Sequence, residues 1–144
     1  MKPNLLIVAM LLFSFFSVGQ DVFVEKKDSS KVEIYEYVDE FAEFPGGLEA
    51  YKKYLAENII YPVSAVNKNI EGTVYVRFIV SKSGYITNVR VVKAIPDCDE
   101  CSEEVIRVFK SMPRWKPGKY KGEIVNSYFN SKVTFKIPKP EIKQ

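Results

Sequence analysis

Histidine is absent from this 144-residue sequence, and cysteine occurs only twice. Without histidine, the chain can form neither a serine–histidine or cysteine–histidine catalytic pair nor a histidine-ligated metal site. Two cysteines are too few for a four-thiolate zinc site within one chain. We therefore expect no metal, no cofactor and no enzymatic activity.

An excess of charge of one sign is also lacking, because 21 basic residues stand against 18 acidic ones and leave a net charge of +3. The basic residues are scattered, apart from a loose group over residues 114–121. Such a balance argues against nucleic-acid binding. The hydrophobic share of 47% is that of an ordinary globular protein, and the length allows one modest domain.

The N-terminus has the features of a targeting segment. Lys2 precedes an apolar run over residues 5–16, and small residues follow it up to Gly19, which is typical of a secretory signal peptide. A membrane anchor is the alternative, but a helix over residues 5–19 would span roughly 22 Å against about 30 Å of hydrocarbon. We expect cleavage near Gly19 and a protein that works in the periplasm or outside the cell. An uncleaved segment would instead anchor the protein in the inner membrane.

The segment after the signal peptide is polar. Residues 20–43 are rich in charged side chains and predict a flexible lead-in. Within it, residues 31–38 alternate briefly, so this part can form a short extra strand or an extended arm on the domain. The letters FPGG at residues 44–47 predict a turn, because the proline disfavours helix before it and the glycines allow the chain to reverse.

Two alternating segments predict a long β-hairpin. Residues 72–80, GTVYVRFIV, place every second side chain on one buried face, and Gly84 suits the left-handed position of the connecting turn. The return strand covers residues 86–92. Because Ile86 and Val89 are three residues apart, either a bulge lies between them or Ile86 belongs to the turn.

Three segments have apolar residues at helical spacing, over residues 48–58, 63–69 and 102–112. Pro62 opens the second helix. Asp97 or Asp99 can cap the third, whose acidic first turns and basic last turn suit the helix dipole. The positions expected to face the core are Leu48, Tyr51, Leu55, Val63, Val66, Ile70, Val105, Ile106, Phe109 and Met112.

The longest alternation covers residues 125–137 and predicts a strand with one packed face and one wet face. Before it, Trp115 is the large residue of a loop and is expected to fill the junction between helices and sheet. Together these elements predict an α+β two-layer domain, in which a three-stranded antiparallel sheet is covered by helices on one face.

The two cysteines, Cys98 and Cys101, enclose Asp99 and Glu100 at the start of the third helix. A C-x-x-C pair at a helix start can lower a thiol pKa and serve redox chemistry. Here the neighbouring carboxylates oppose a thiolate. A local structural disulfide is therefore the preferred prediction, and a thiol redox protein is the less favoured alternative.

Several short motifs follow one another in a specific order and spacing between residues 44 and 137. The residues of these motifs that we expect to have structural roles are Tyr61, Pro62, Gly72, Gly84, Trp115, Pro117 and Gly118. In this order and spacing the chain resembles the C-terminal domain of TonB, the energy transducer of Gram-negative bacteria. The preceding FPGG is similar to the same segment of TonB-like proteins from the Bacteroidetes.

The resemblance implies a sheet with the first hairpin strand in the centre and the last strand at an edge. In that family the edge strand pairs with the TonB box, a short N-terminal segment of outer-membrane receptors. The matching positions here are Val125, Asn126, Ser127, Tyr128, Phe129, Asn130, Ser131 and Lys132. The expected divisions are 1–19 for the signal peptide, 20–43 for the lead-in, 44–138 for the domain and 139–144 for a tail.

TonB differs from this chain at the front, where it has a membrane anchor and a long proline-rich spacer; here no proline lies between Pro3 and Pro45. If the signal peptide is cleaved, nothing ties the protein to inner-membrane motor proteins, although receptor binding remains. We predict a TonB-like periplasmic protein that docks onto TonB-dependent receptors by strand addition and supports energised uptake across the outer membrane. The alternatives are a periplasmic structural adaptor without energy transduction and, less favoured, the redox protein.

Overall fold

The sheet of this protein is organised around the predicted hairpin. The computed structural model describes residues 31–140, so the predicted signal peptide and residues 20–30 of the lead-in lie outside the described residues. The hairpin consists of β2 (Gly72–Val80) and β3 (Ile86–Lys93). Every second residue of β2 is fully buried, as the alternation predicts; these residues are Val74, Val76, Phe78 and Val80.

Strand β2 is central, because it pairs antiparallel with β3 on one side and with β6 (Asn126–Phe135) on the other. Of the two alternatives for the return strand, the structure has the bulge, and Ile86 pairs with Val80 inside the strand. Between the pairs Arg77↔Arg90 and Ile79↔Thr87, β3 contains one residue more than β2. Asn88 lies in this interval with a φ of 54°, a left-handed conformation that bends the strand.

The sheet has four strands rather than the expected three. A two-residue strand, β1 (Ile34–Tyr35), pairs parallel with β6 at Asn126 and Ser127, which gives the order β1-β6-β2-β3. The Asn126 side chain supports this pairing, since its Nδ2 donates a hydrogen bond to the Glu33 carbonyl oxygen at 3.2 Å. The last strand is therefore not the outermost strand along its first two residues.

Residues before 44, which are expected to belong to the lead-in, also contact the domain. Glu40 and Glu43 form backbone bridges with Lys119 and Lys116, and Ala42 is buried in the core. Residues 33–43, which we call the arm, therefore lie along the domain. Lys119, the bridge partner of Glu40, also belongs to a separate small hairpin. This hairpin consists of β4 (Lys119–Tyr120) and β5 (Glu123–Ile124).

Helices cover one face of the sheet, which makes the predicted two-layer α+β architecture. They are α1 (Gly47–Asn58), α2 (Val63–Asn67) and α3 (Asp99–Lys110). Val105 and Phe109 of α3 are buried as expected, and Val108 is buried in place of the predicted Ile106. No helix within residues 31–140 is long and apolar enough to cross a membrane.

Several predicted core positions and caps differ in the structure. Leu48, Val63 and Val66 are exposed, because α1 has only just begun at Leu48 and the short α2 turns only Ala65 into the core. The N-cap of α3 is Cys98, without a side-chain cap bond, so neither Asp97 nor Asp99 caps this helix.

The Trp115 side chain fills the junction between the two layers, as predicted, and is only 4% exposed. Its backbone also fixes the hairpin turn, because the Trp115 N–H donates to the Gly84 carbonyl oxygen at 2.9 Å. Gly84 has a φ of 83°, and a Cβ built on it would lie 2.2 Å from the Trp115 carbonyl oxygen. Glycine is therefore required here both for its conformation and for the close approach.

We expect Gly84→Ala to lower the free energy of unfolding by more than about 2 kcal/mol, because a left-handed φ alone costs roughly 1–2 kcal/mol and the clash adds to it. Gly122→Ala is the matched control, since Gly122 has a φ of 77° and open space around it. Urea denaturation of both variants measures the difference. Equal losses would mean that the approach to Trp115 does not matter.

An ion pair within α3 forms hydrogen bonds to the end of α1 and the residues after it. The Glu104 carboxylate accepts hydrogen bonds from the Arg107 guanidinium at 2.6 and 2.9 Å and from the Ile60 N–H at 2.7 Å. Arg107 also donates to the Asn58 carbonyl oxygen at 2.9 Å. The hydrogen bonds from Arg107 hold the pKa of Glu104 below its ordinary value.

Because the folded-state pKa of Glu104 is lowered, its carboxylate stabilises the fold above its unfolded-state pKa, and this contribution is lost as the pH falls through the lowered value. We expect Glu104→Gln to reduce the free energy of unfolding by about 1 kcal/mol at neutral pH. The gap to the parent should close in acid. Glu103→Gln, at an exposed neighbouring position, is the control. Denaturation of both variants across a pH series measures the effect. The same pH dependence for both would contradict the stabilising role of the Glu104 carboxylate.

Candidate partner-binding site

Strand β6 is paired unequally on its two sides. On one side β2 accompanies it from Ser127, opposite Val80, to Phe135, opposite Gly72. On the other side β1 pairs only with Asn126 and Ser127. Within the described part of the chain, residues 128–135 have no strand on this outer side. We call these residues the open edge; their outward backbone N–H and C=O groups are available to another chain.

A groove of about 480 Å³ lies beside the open edge. Its apolar lining comes from the arm, the turn before α1, α1 itself and the layer junction. The lining residues are Phe41, Ala42, Phe44, Leu48, Tyr51, Trp115 and Phe129, with Glu36, Glu43, Tyr128 and Asn130 at polar positions. Two of the apolar side chains project into solvent, since Phe41 is 72% and Leu48 is 64% exposed. We call this feature the edge groove.

The FPGG turn explains how α1 comes to border the groove. Gly46 and Gly47 have φ values of 87° and 82°, and they reverse the chain directly after Phe44. The reversal is tight, because a Cβ on Gly46 would lie 2.9 Å from the Ala50 Cβ. Leu48 consequently occupies the first turn of α1 at the rim of the groove, and not the core face that its spacing predicts.

An ion pair lies at the beginning of the open edge, beside Tyr128. Glu36 follows β1, and its Oε2 lies 2.5 Å from Nη2 of Arg77 on β2. The Arg77 guanidinium carbon lies 3.9 Å from the ring centroid of Tyr128. A strand added to β6 would therefore meet this ion pair at Tyr128, so the accessible edge begins there.

The floor of the edge groove is attached to the helix layer. The hydroxyl groups of Tyr51 and Ser131 share a hydrogen bond of 2.5 Å, which links α1 to β6. Burial raises the pKa of Tyr51. A raised pKa means that the phenol holds its proton more firmly, which favours the hydrogen bond to Ser131.

The structure brings only some of the predicted edge residues together at this site. Val125 and Ser127 are buried, and the Val125 N–H already donates to the Gly118 carbonyl oxygen. The predicted residues on the open edge are Tyr128, Phe129, Asn130, Ser131 and Lys132. Sequence reasoning missed Glu36, Phe41 and Leu48. An available signal was Phe41, a large apolar residue before the FPGG turn that has no place in any predicted core face, whereas Leu48 was assigned to the core face of the first helix.

The other predicted positions are structural. Tyr61 donates to the Ile70 carbonyl oxygen at 2.6 Å and stacks on Phe135. A Cβ on Gly72 would press on Ile95, and one on Gly118 would lie 2.8 Å from Ser127 Oγ. Of the motif residues, Trp115 is the one that lines the edge groove.

Cys98 and Cys101 form a disulfide in the structure, and both residues are buried. Closure of so short a loop stabilises by no more than roughly 2 kcal/mol. A thiol that exchanges with a substrate needs an accessible sulfur in electropositive surroundings. Burial and the adjacent carboxylates are therefore unsuitable for redox exchange. Within residues 31–140, no cluster of three or more Cys, Asp or Glu side chains is placed to hold a metal ion.

Among the solved structures that are similar to this chain are three structures of TonB C-terminal domains. The TonB C-terminal domain of Pseudomonas aeruginosa is 30% identical over 56% of this chain and 79% of that one, with a TM-score of 0.45. Two structures of the Helicobacter pylori TonB C-terminal domain are 19% and 20% identical to this chain, with TM-scores of 0.46 and 0.43. Each match covers 61% of this chain, and the matches cover 78% and 90% of the two Helicobacter chains. No curated protein sequence matches at a significant level.

The family model described as the C-terminal region of the Gram-negative bacterial TonB protein matches residues 57–137. The matched region begins at the end of α1 and contains the hairpin, α3, Trp115 and the whole of β6. The arm and the FPGG turn precede it. Because this match covers more than half of the chain, the protein belongs to the TonB C-terminal domain family.

Proposed function

We propose that this protein binds the TonB box of TonB-dependent outer-membrane receptors by adding it as a strand to the open edge, beginning at Tyr128. The observation that carries the proposal is the unequal pairing of β6, whose outer side is free from Tyr128 onward within the described chain. Family membership supports a receptor as the partner. The proposed setting is the periplasm, after cleavage of the signal peptide, where the protein supports energised uptake.

Backbone pairing alone is too weak for this role. Five hydrogen bonds at about 1 kcal/mol each give about 5 kcal/mol, whereas micromolar affinity needs about 8 kcal/mol. Because both side chains are already partly covered, covering the exposed parts of Phe41 and Leu48 can add about 1–2 kcal/mol for each, partly offset by ordering of the peptide. The edge groove is thus of the right size and polarity to supply the difference.

A structural adaptor without energy transduction would use the same open edge with another partner. The two functions differ in whether inner-membrane motor proteins also bind, which depends on the N-terminal segment outside residues 31–140. The receptor function is the one that we put forward, because the family supports it directly. Binding to receptor peptides tests it without reference to the motor.

Proline substitutions on β6 test strand addition. Neighbouring residues of a strand direct their N–H groups to opposite sides of it, and proline has no N–H. Tyr128→Pro and Phe129→Pro therefore differ: one of them removes an N–H that points outward, and the other removes an N–H that is bonded to β2. We expect the first to keep the parent circular dichroism spectrum and to bind receptor N-terminal peptides at least about tenfold more weakly. The second should lose stability. Calorimetry measures the affinities.

The control uses the opposite edge of the sheet. Arg90→Pro and Val91→Pro on β3 form the same kind of neighbouring pair. The better folded of these two should bind receptor peptides as the parent does. Strand addition to the open edge is wrong if the well-folded β6 variant also binds as tightly as the parent.

The edge groove can be tested separately from the backbone. We expect Leu48→Ser to weaken peptide binding about threefold to tenfold, because an exposed apolar contact of about 1 kcal/mol is lost. Val63→Ser is the matched control, since Val63 is 72% exposed on α2 and does not line the groove. Neither change should alter the melting temperature appreciably. Equal affinities of the two variants would remove the groove from the binding site.

A further inference from the structure

The face of the sheet that the helices leave uncovered carries aligned basic side chains. In the register of the strands, Tyr75 lies between Lys93 on β3 and Lys132 on β6. In the next row, Arg77 lies between Arg90 and Asn130. Directly opposite residues of neighbouring strands point to the same face, so these basic groups share one surface.

This arrangement is unfavourable in the isolated protein. Arg77 stands directly opposite Arg90, and like charges in this position destabilise a sheet. Within the described residues, Arg77 alone among the four basic side chains has a carboxylate partner, Glu36. In these two rows, four positive charges less this carboxylate leave a surplus of three.

Strand β1 is an intramolecular example of a strand added to β6. Its register places Ile34 opposite Asn126 and Tyr35 opposite Ser127, and Glu36 follows directly after this pairing. The Glu36 carboxylate lies on the uncovered face, because it binds Arg77, whose guanidinium lies over the Tyr128 ring. The protein therefore already places an acidic side chain on this surface, next to a strand added to β6.

A receptor strand on the open edge would meet the same surface. Its side chains alternate, so those opposite Asn130 and Lys132 point to the uncovered face, and the ones between them point toward the edge groove. A carboxylate opposite Lys132 would have its Cβ about 4.5–5.5 Å from the Lys132 Cβ, which is a favourable cross-strand distance.

We infer that the partner segment alternates acidic with apolar residues, with acidic side chains over the uncovered face beside Lys132 and Arg77 and apolar side chains in the edge groove. This inference rests on the proposed strand addition and names the chemistry of its partner. Glu36 occupies the first of the acidic positions, and the receptor segment supplies the following ones.

The test uses the receptor N-terminal peptide that binds most tightly in calorimetry and the same peptide with every Asp and Glu replaced by Asn and Gln. We expect neutralisation to weaken binding roughly threefold to tenfold. The affinity of the acidic peptide should fall with added salt, whereas that of the neutral peptide should change little. Lys132→Glu should reduce the affinity for the acidic peptide and leave that for the neutral peptide unchanged.

Lys68→Glu is the matched control, because it changes the net charge equally at an exposed position after α2. It should leave both affinities unchanged. A peptide with Lys in place of its acidic residues should bind Lys132→Glu better than it binds the parent protein. If the parent protein and Lys132→Glu both bind the acidic peptide as tightly as the neutral one, the inference about acidic residues is overturned, whereas strand addition is not. If no receptor peptide binds the parent at all, the proposed function itself fails.

Discussion

The packing of Trp115 is the contact on which the rest of the structure depends. Its ring lies 5.0–5.7 Å from those of Phe44, Tyr51, Phe78 and Phe129, which belong respectively to the turn, α1, β2 and β6. Its backbone holds the hairpin turn at Gly84. One residue thus fixes the helix layer against the sheet and sets the distance between α1 and β6. Since that distance is the width of the edge groove, the site exists only when the core is correctly packed.

The outer side of β6 shows how the protein manages an exposed strand. Sheet edges invite pairing with other chains, and proteins usually cover or blunt them. Here β1 covers two residues, and the Glu36–Arg77 ion pair marks the point, at Tyr128, where the open edge begins. The remaining edge stays open, and the arm that covers its beginning also forms one wall of the groove. The same segment therefore limits where a partner can pair and contributes surface for that partner to contact.

Much of this fold could be predicted from the sequence, because its main elements are long and regular. The alternation of β2 and β6 predicted their buried faces. The irregular spacing of Ile86 and Val89 allowed either a bulge in β3 or a place for Ile86 in the turn, and the structure has the bulge. Strand β1 is two residues long, and its pairing spans more than ninety positions, so no local pattern distinguishes it from an extended arm. Leu48 was misplaced for a different reason: helical spacing identifies a face but not where the first turn leaves the core. The edge groove depends on these two features, which is why its residues were missed.

Several groups around the outer part of β6 lack a partner in the isolated protein. Phe41 and Leu48 expose large apolar surfaces, and within residues 31–140 the Lys132 ammonium has no carboxylate partner and a run of strand backbone has no paired strand. Local choices in a stable sequence normally agree with one another, and departures from this agreement concentrate at functional sites. Each departure here would be relieved by a different property of one ligand: apolar side chains, carboxylates and an extended backbone. A single extended segment with alternating side chains has all three properties, whereas a helix or a small molecule would leave at least one of them unmet.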